Sequence, residues 1–212
     1  MNWQTLVRAY PALASVPSAL GEAAERLELQ PGETLFRLGD RPVGIHFVMA
    51  GEVRLVRRAP NGAEIILQRS RGGFVAEASL DTKAYHCDAV VTEAGAALRF
   101  SARAFRNALE EDSTFGQTWR MLLAHEVRKL RAQCERLSLH TAAERIIHYL
   151  ESEGTVGVIT LNKSRKAWAA ELGLTHEALY RTLRRLQADG ILDVTRHRIA
   201  ICRQSELRHG QR

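Results

Sequence analysis

Residues 164–190 read SRKAWAAELGLTHEALYRTLRRLQADG, and this stretch decides the fold. Ser164 is placed to cap a first helix, which Gly173 ends, because Ser favours the N-cap and Gly the left-handed position after a helix. Thr175 then caps a second helix that runs to about Ala188 and closes at Gly190. Two short helices joined by a tight Gly-containing turn make a helix-turn-helix. Ala169 is small where the helices must cross, and Trp168, Leu172, Leu174 and Leu179 fall at core positions.

The second helix has two poles. At roughly 100° per residue, Leu179, Leu183 and Leu186 form one stripe, with Glu177, Arg181 and Arg184 within about 30° of the opposite pole. A merely solvated face would mix Lys, Glu and Gln. This one presents two arginines and a glutamate near the end of a recognition helix that meets base edges. Arg grips guanine O6 and N7 with two bonds, and Glu accepts from cytosine N4. Residues 191–195 and 198–202, joined at Arg196-His197, read as a wing whose basic tip touches phosphate.

Upstream, residues 115–139 hold no Pro and no Gly beyond Gly116. Leu123, Val127, Leu130, Cys134 and Leu137 are spaced four, three, four, three, a heptad seam over two repeats. Arg128, Lys129, Arg131, Glu135 and Arg136 leave one narrow stripe to bury. This favours a homodimer helix over a helix packed only on its own domain, and Trp119 extends the expected interface. Between about Leu27 and Phe100 short apolar stretches (34–38, 45–49, 53–56, 65–67, 90–91 and 97–100) alternate with turn signals, Ala50-Gly51 among them. That texture implies an all-β roll or barrel. Asn61-Gly62 is its best hairpin signal, expected as a type I′ turn. Helices are expected over the first 20 residues and at 141–151, with a short strand at 156–161.

The 212 residues are 45% apolar and carry a formal net charge of +6. Residues 1–162 hold 19 Lys and Arg against 19 Asp and Glu, whereas residues 163–212 hold 11 against 5. All the excess therefore lies in the segment expected to meet an anionic polymer. No apolar run approaches the roughly 18 residues of a membrane span, and no signal pattern opens the chain, so a cytoplasmic protein is expected. Three scattered cysteines do not make a disulfide framework.

At these residues the chain resembles the Crp/Fnr family of bacterial transcription regulators. PGETLFRLGDRPVGIHFVMAGEVRLVRRAPNGAEIIL (residues 31–67) is similar to the family's cyclic-nucleotide-binding-like β-roll, RMLLAHEVRKLRAQCERL (120–137) to its dimerisation helix, and 164–192 to its winged helix-turn-helix. The resemblance implies an α+β chain: a β-roll (double-stranded β-helix) with an N-terminal helix at 1–112, a dimerisation helix at 113–139 and a DNA-binding domain at 140–212. It implies a homodimer on an inverted-repeat site, no catalytic residue, and RNA polymerase as a further partner. Base reading falls to Glu177 and Arg181, flanked by His176, Tyr180 and Arg184. Ser164, Arg165, Lys166, Thr175, Arg185, Arg196 and Arg198 are the expected phosphate contacts. Many members have Ser or Gly where Tyr180 stands and some have Arg at His176, so the operator is not transferable.

The sensor segment departs further. FVAEASL (74–80) keeps Glu77 but has Ala76 where the family has Gly. YHCDAVV (85–91) has His86-Cys87 where an Arg-Ser or Arg-Thr pair would hold a cyclic phosphate. Neutral imidazole lacks the fixed charge and donor fork of guanidinium, which argues against cyclic AMP control. No cysteine precedes Cys87, so no iron–sulfur cluster is expected. His86, Cys87 and also His46 are weak haem or metal candidates, and a redox response at Cys87 or Cys134 is a further alternative. The plainer reading is a surface His beside a buried Cys, with Cys134 as a small seam residue. A cupin-like metalloenzyme fits less well, since His46 lacks the second His that such a site needs.

Overall fold

The computed structural model describes residues 2–62, 64–161 and 164–202. The chain forms two compact units, Met1–Met121 and Leu122–Arg212.

The first unit opens with α1 (Trp3–Ala9), a 3-10 turn at Pro11–Leu13 and α2 (Ser18–Glu22). Strands follow at β1 (Glu25–Leu29), β2 (Thr34–Phe36), β3 (Gly44–Arg58), β4 (Glu64–Ser70), β5 (Gly73–Val75) and β6 (Asp88–Ser101). They pair antiparallel in the order β1-β6-β3-β4, with β2 also on β6 and β5 also on β3. α3 (Ala102–Glu111) and the start of α4 (Ser113–Ser138) complete the unit.

Two turn expectations are corrected. Ala50-Gly51 does not separate two strands, because β3 runs through it as one element of 15 residues. The register of β3 on β6 shifts there. A Cβ on Gly51 would lie 2.5 Å from the Glu93 carbonyl oxygen, and one on Gly95 would lie 2.0 Å from that of Ala50. The glycines permit close backbone approach at a bulge, so the strand bends without ending. Among the described residues of the hairpin only Gly62 has positive φ (82°), and its N–H donates to Ala59 O at 2.8 Å. Pro60, whose ring fixes φ near −65°, takes the first central position and moves the turn one residue earlier than type I′ would place it.

Trp119 is the third correction. It lies in a cluster of rings within its own unit, 4.8 Å from Phe105 and 5.1 Å from Phe74 between centroids, and is buried. An indole so placed contributes to the roll's core rather than to an exposed seam.

The second unit contains the rest of α4, then α5 (Ala142–Glu153), β7 (Val158–Thr160), α6 (Arg165–Glu171), α7 (His176–Ala188), β8 (Leu192–Val194) and β9 (Arg198–Ile201). The sheet order is β7-β9-β8. The expected strand at 156–161 begins two residues late, because Val156 and Gly157 have φ of 56° and 75° and form a turn. Ile146, Leu150, Trp168, Leu172, Leu179 and Ile199 are fully buried and make the core. α5 starts at a capping box: Thr141 Oγ1 accepts from Glu144 N–H while the Glu144 carboxylate accepts from Thr141 N–H.

Candidate nucleic-acid interface

Local sequence chemistry places the helix-turn-helix. Ser164 Oγ accepts from Ala167 N–H at 3.2 Å, and Thr175 Oγ1 from Ala178 N–H at 3.1 Å, so each helix begins on a side-chain cap. Gly173, at φ 65°, makes the turn between them. Leu179, Leu183 and Leu186 bury the inner stripe of α7, while His176, Glu177, Tyr180, Arg181, Arg184 and Arg185 are exposed. The Glu177 carboxyl is held below the usual carboxylate range by its own amide, the Thr175 hydroxyl and the nearby His176 charge. It therefore stands as an acceptor at the positive end of α7.

Arg165 ties the wing to α7. Its guanidinium donates to Thr195 O at 2.7 Å and lies 5.3 Å above the Tyr180 ring, which meets His176 edge-on at 4.5 Å. Arg198 pairs with Asp193 at 2.9 Å across the wing. Lys166 and Arg196 are exposed. Arg165 thus joins α6, α7 and the wing.

On α4, Val127, Leu130, Cys134 and Leu137 are exposed and Leu123 is half-buried. Arg136, grouped by the sequence with the solvated face, is instead 1% exposed. It lies 4.5 Å over the Tyr149 ring and donates to Ser152 Oγ and Glu153 Oε1 at 3.2 Å. Periodicity within one helix carries no signal for this, because the partners come from α5.

In the first unit the segment after β5 keeps a left-handed backbone. Ala76 has φ 76°, a conformation that an L side chain adopts at a cost of about 1 kcal/mol. Glu77 follows on a 3-10 turn, Glu77–Ser79. His86 is exposed and its Nδ1 lies 2.9 Å from Ser79 Oγ, while Cys87 is buried. Burial, then the charges of Asp88 and Glu77, push the Cys87 thiol up to about 11, with Arg57 opposing them. A protonated thiol is a poor metal ligand and a slow nucleophile. His46 is buried, with its ring centroid 5.7 Å from Phe36, and burial with the Arg99 charge lowers its pKa to about 4. Among the described residues no group of three or more His, Cys, Asp or Glu is placed to hold a metal ion. Nor is any helix long and apolar enough to cross a membrane.

A β-roll followed by a long helix and a winged helix-turn-helix defines a class of DNA-binding regulators. The cyclic nucleotide-binding domain family matches residues 26–112, and the Crp-like helix-turn-helix domain family matches residues 144–209. The chain belongs to the Crp/Fnr family of transcription regulators. Among solved structures it is similar to a regulatory protein from Silicibacter pomeroyi DSS-3 named for cAMP binding, at 26% identity and TM-score 0.55, covering 94% of this chain and 93% of that one. FixK2 from Bradyrhizobium japonicum is 20% identical with TM-score 0.60, covering 86% and 94%. The c-di-GMP-responsive regulator CLP from Xanthomonas campestris is 20% identical with TM-score 0.51, covering 89% and 98%. No curated protein is significantly similar to the chain.

Proposed function

We propose that the chain is a cytoplasmic, homodimeric, sequence-specific DNA-binding regulator, not an enzyme, and that it acts without cyclic AMP. The observation that carries this reading is α7, whose inner stripe is buried while Glu177, Arg181 and Arg184 stand exposed beyond a capped N-terminus. Glu177 and Arg181 read base edges, with His176, Tyr180 and Arg184 flanking them in the major groove. Ser164, Lys166, Thr175, Arg185 and Arg196 contact phosphate, while Arg165 and Arg198 act partly through the wing they hold. The exposed stripe of Val127, Leu130 and Leu137 fits a second copy of the same helix, with Leu123 and Cys134 beside it. The organisation is a β-roll domain at 1–112, a dimerisation helix at 113–139 and a DNA-binding domain at 140–212. RNA polymerase is the expected further partner.

One feature of the sensor segment supports independence from cyclic AMP. A cyclic phosphate at His86-Cys87 would meet a neutral buried thiol near the Glu77 and Asp88 charges rather than a fixed guanidinium. The relatives are themselves named for different nucleotides, so the shared fold does not fix the effector.

Selection of bound duplexes from a random pool tests the reading. It should return an inverted repeat with half-sites about one helical turn apart, with unchanged affinity when cyclic AMP is added. A dimer claim fails if sedimentation shows a 23.7 kDa monomer where DNA binding is already saturated.

A further inference from the structure

We propose that Arg145 is a positioning residue that sets the half-site separation the protein accepts. The proposal rests on the homodimeric reading above. Arg145 sits in the first turn of α5 and is half-buried. Its Nε donates to Leu139 O, just past the end of α4, at 3.0 Å. Its Nη1 donates to Leu172 O at 3.3 Å and Gly173 O at 3.1 Å, the carbonyls that close α6 and form the helix-turn-helix turn. A helix leaves its last four carbonyls without intrahelical partners, and a cation near that end is favourable. One guanidinium therefore serves the C-terminal ends of two helices, one the proposed dimer helix and the other the first helix of the DNA-reading pair.

The attachment is reinforced on either side. Leu137 Cδ2 and Arg145 Nη1 would each lie 3.0 Å from a Cβ placed on Gly173, so the turn is packed against Leu137 at the end of α4 as well as bonded to Arg145. At the far end of α5, Arg136 of α4 reaches Ser152 and Glu153. Glu135 of α4 lies 3.1 Å from His148 on α5. α5 is thus fastened to α4 along its length and shares its apolar core with α6 and α7, and Arg145 adds a polar tie between the end of α4 and the turn before α7. In a dimer built on α4, the direction of α4 then determines where each copy of α7 points. Without the fork of Arg145 each α7 still folds and still matches a half-site, but the tie between the end of α4 and the turn before α7 is lost, and the direction of α7 relative to α4 is held less tightly.

The test uses the full-length protein and duplexes bearing the inverted repeat selected by the wild type. The centre-to-centre distance is varied one base pair at a time, with a single half-site as control. Wild type should prefer its selected spacing over a one-base-pair change by about 30-fold, since avidity is lost when geometry forbids simultaneous engagement. R145Q should flatten this to about threefold while half-site affinity stays within about twofold. R145K keeps a positive charge by the carbonyls but lacks the fork that spans both helix ends. It should recover melting temperature without recovering spacing discrimination, and it serves if R145Q does not fold. The proposal is overturned if these variants retain the wild-type spacing ratio, or if half-site binding falls by the same factor as the full site. A selection that returns no inverted repeat overturns the homodimer reading and, with it, the proposal.

Discussion

In the β-roll, arginines converge on carboxylates. Glu52, 2% exposed, accepts from Arg54 at 2.7 Å, Arg69 at 3.4 Å, Arg71 at 3.0 Å and Thr92 at 2.7 Å, and Arg71 also grips Glu93. In the winged helix, Arg181, Arg184 and Arg196 project from the surface, where a polyanion can reach them. Both regions are rich in arginine, and they differ in where the acidic residues lie. The first balances its charges internally and keeps its polar network as part of the fold. The second carries an excess that becomes useful when an anion arrives. A cationic side chain is thus structural or functional according to its neighbours, and the +6 of the whole chain describes only one of the two regions.

Four substitutions test that contrast, in decreasing order of effect. Glu52→Ala removes the buried carboxylate under three arginines and should lower the stability of the β-roll by about 3 kcal/mol, since Thr92 and the three guanidiniums lose their shared acceptor. Its affinity for the selected duplex, measured well below the melting temperature, should be unchanged. A large loss of affinity would instead couple the roll to DNA binding.

His46 gives the next effect, and it depends on pH. The folded pKa of about 4 lies below the ordinary 6.5, so between these values the unfolded chain binds a proton that the folded one refuses. Stability contributed by the neutral ring is complete above about pH 6.5 and falls by about 2–3 kcal/mol as pH drops to about 4. His46→Leu should flatten denaturant midpoints across that window. Glu52, whose burial alone would raise its pKa but which Thr92, Arg54 and Arg71 bring below the carboxylate norm, loses its contribution at still lower pH.

Arg181→Ala should lower specific affinity by about 1–3 kcal/mol per half-site, relax the choice at one base pair in each half-site and leave the melting temperature unmoved. Equal binding to the selected duplex would remove Arg181 from the reading face. Lys166→Ala should weaken all sequences alike, by a few-fold per subunit, and reduce the slope of log affinity against log salt by about 1 per subunit. A sequence-dependent loss would make Lys166 a base reader.

The DNA-reading half was legible in the sequence because its signals are local. Ser164, Thr175 and Gly173 announce caps and a turn within a few residues of the backbone groups they serve, and the leucines of α7 lie on one stripe of one helix. The residues that escaped are those whose partners are distant in sequence. Position on α4 groups Trp119 with the seam, yet the rings that bury it come from β5 and α3. Arg136 lies on what a helical wheel shows as a solvated face, and only α5, folding back, covers it. Nothing in the run Gly51-Glu52 signals that Arg69 and Arg71, nearly 20 residues later, will meet that carboxylate. In the sensor segment the type of residue was informative while its setting was not. His86-Cys87 shows the loss of a fixed positive charge, but the high pKa of the thiol follows from Asp88, Glu77 and burial together.

The facing glycines of the roll bear on how this chain can diverge. Gly51 and Gly95 lie on the two longest strands, each against the other strand's backbone, and a methyl group on either would collide with a carbonyl. Neither position has a flexible neighbour that could yield, so drift at one is not rescued by shrinking the other, which has no side chain left to lose. Chimeras that exchange β3 or β6 with a relative lacking the matching glycine should fail to fold, whereas crossovers placed after residue 101 keep both together.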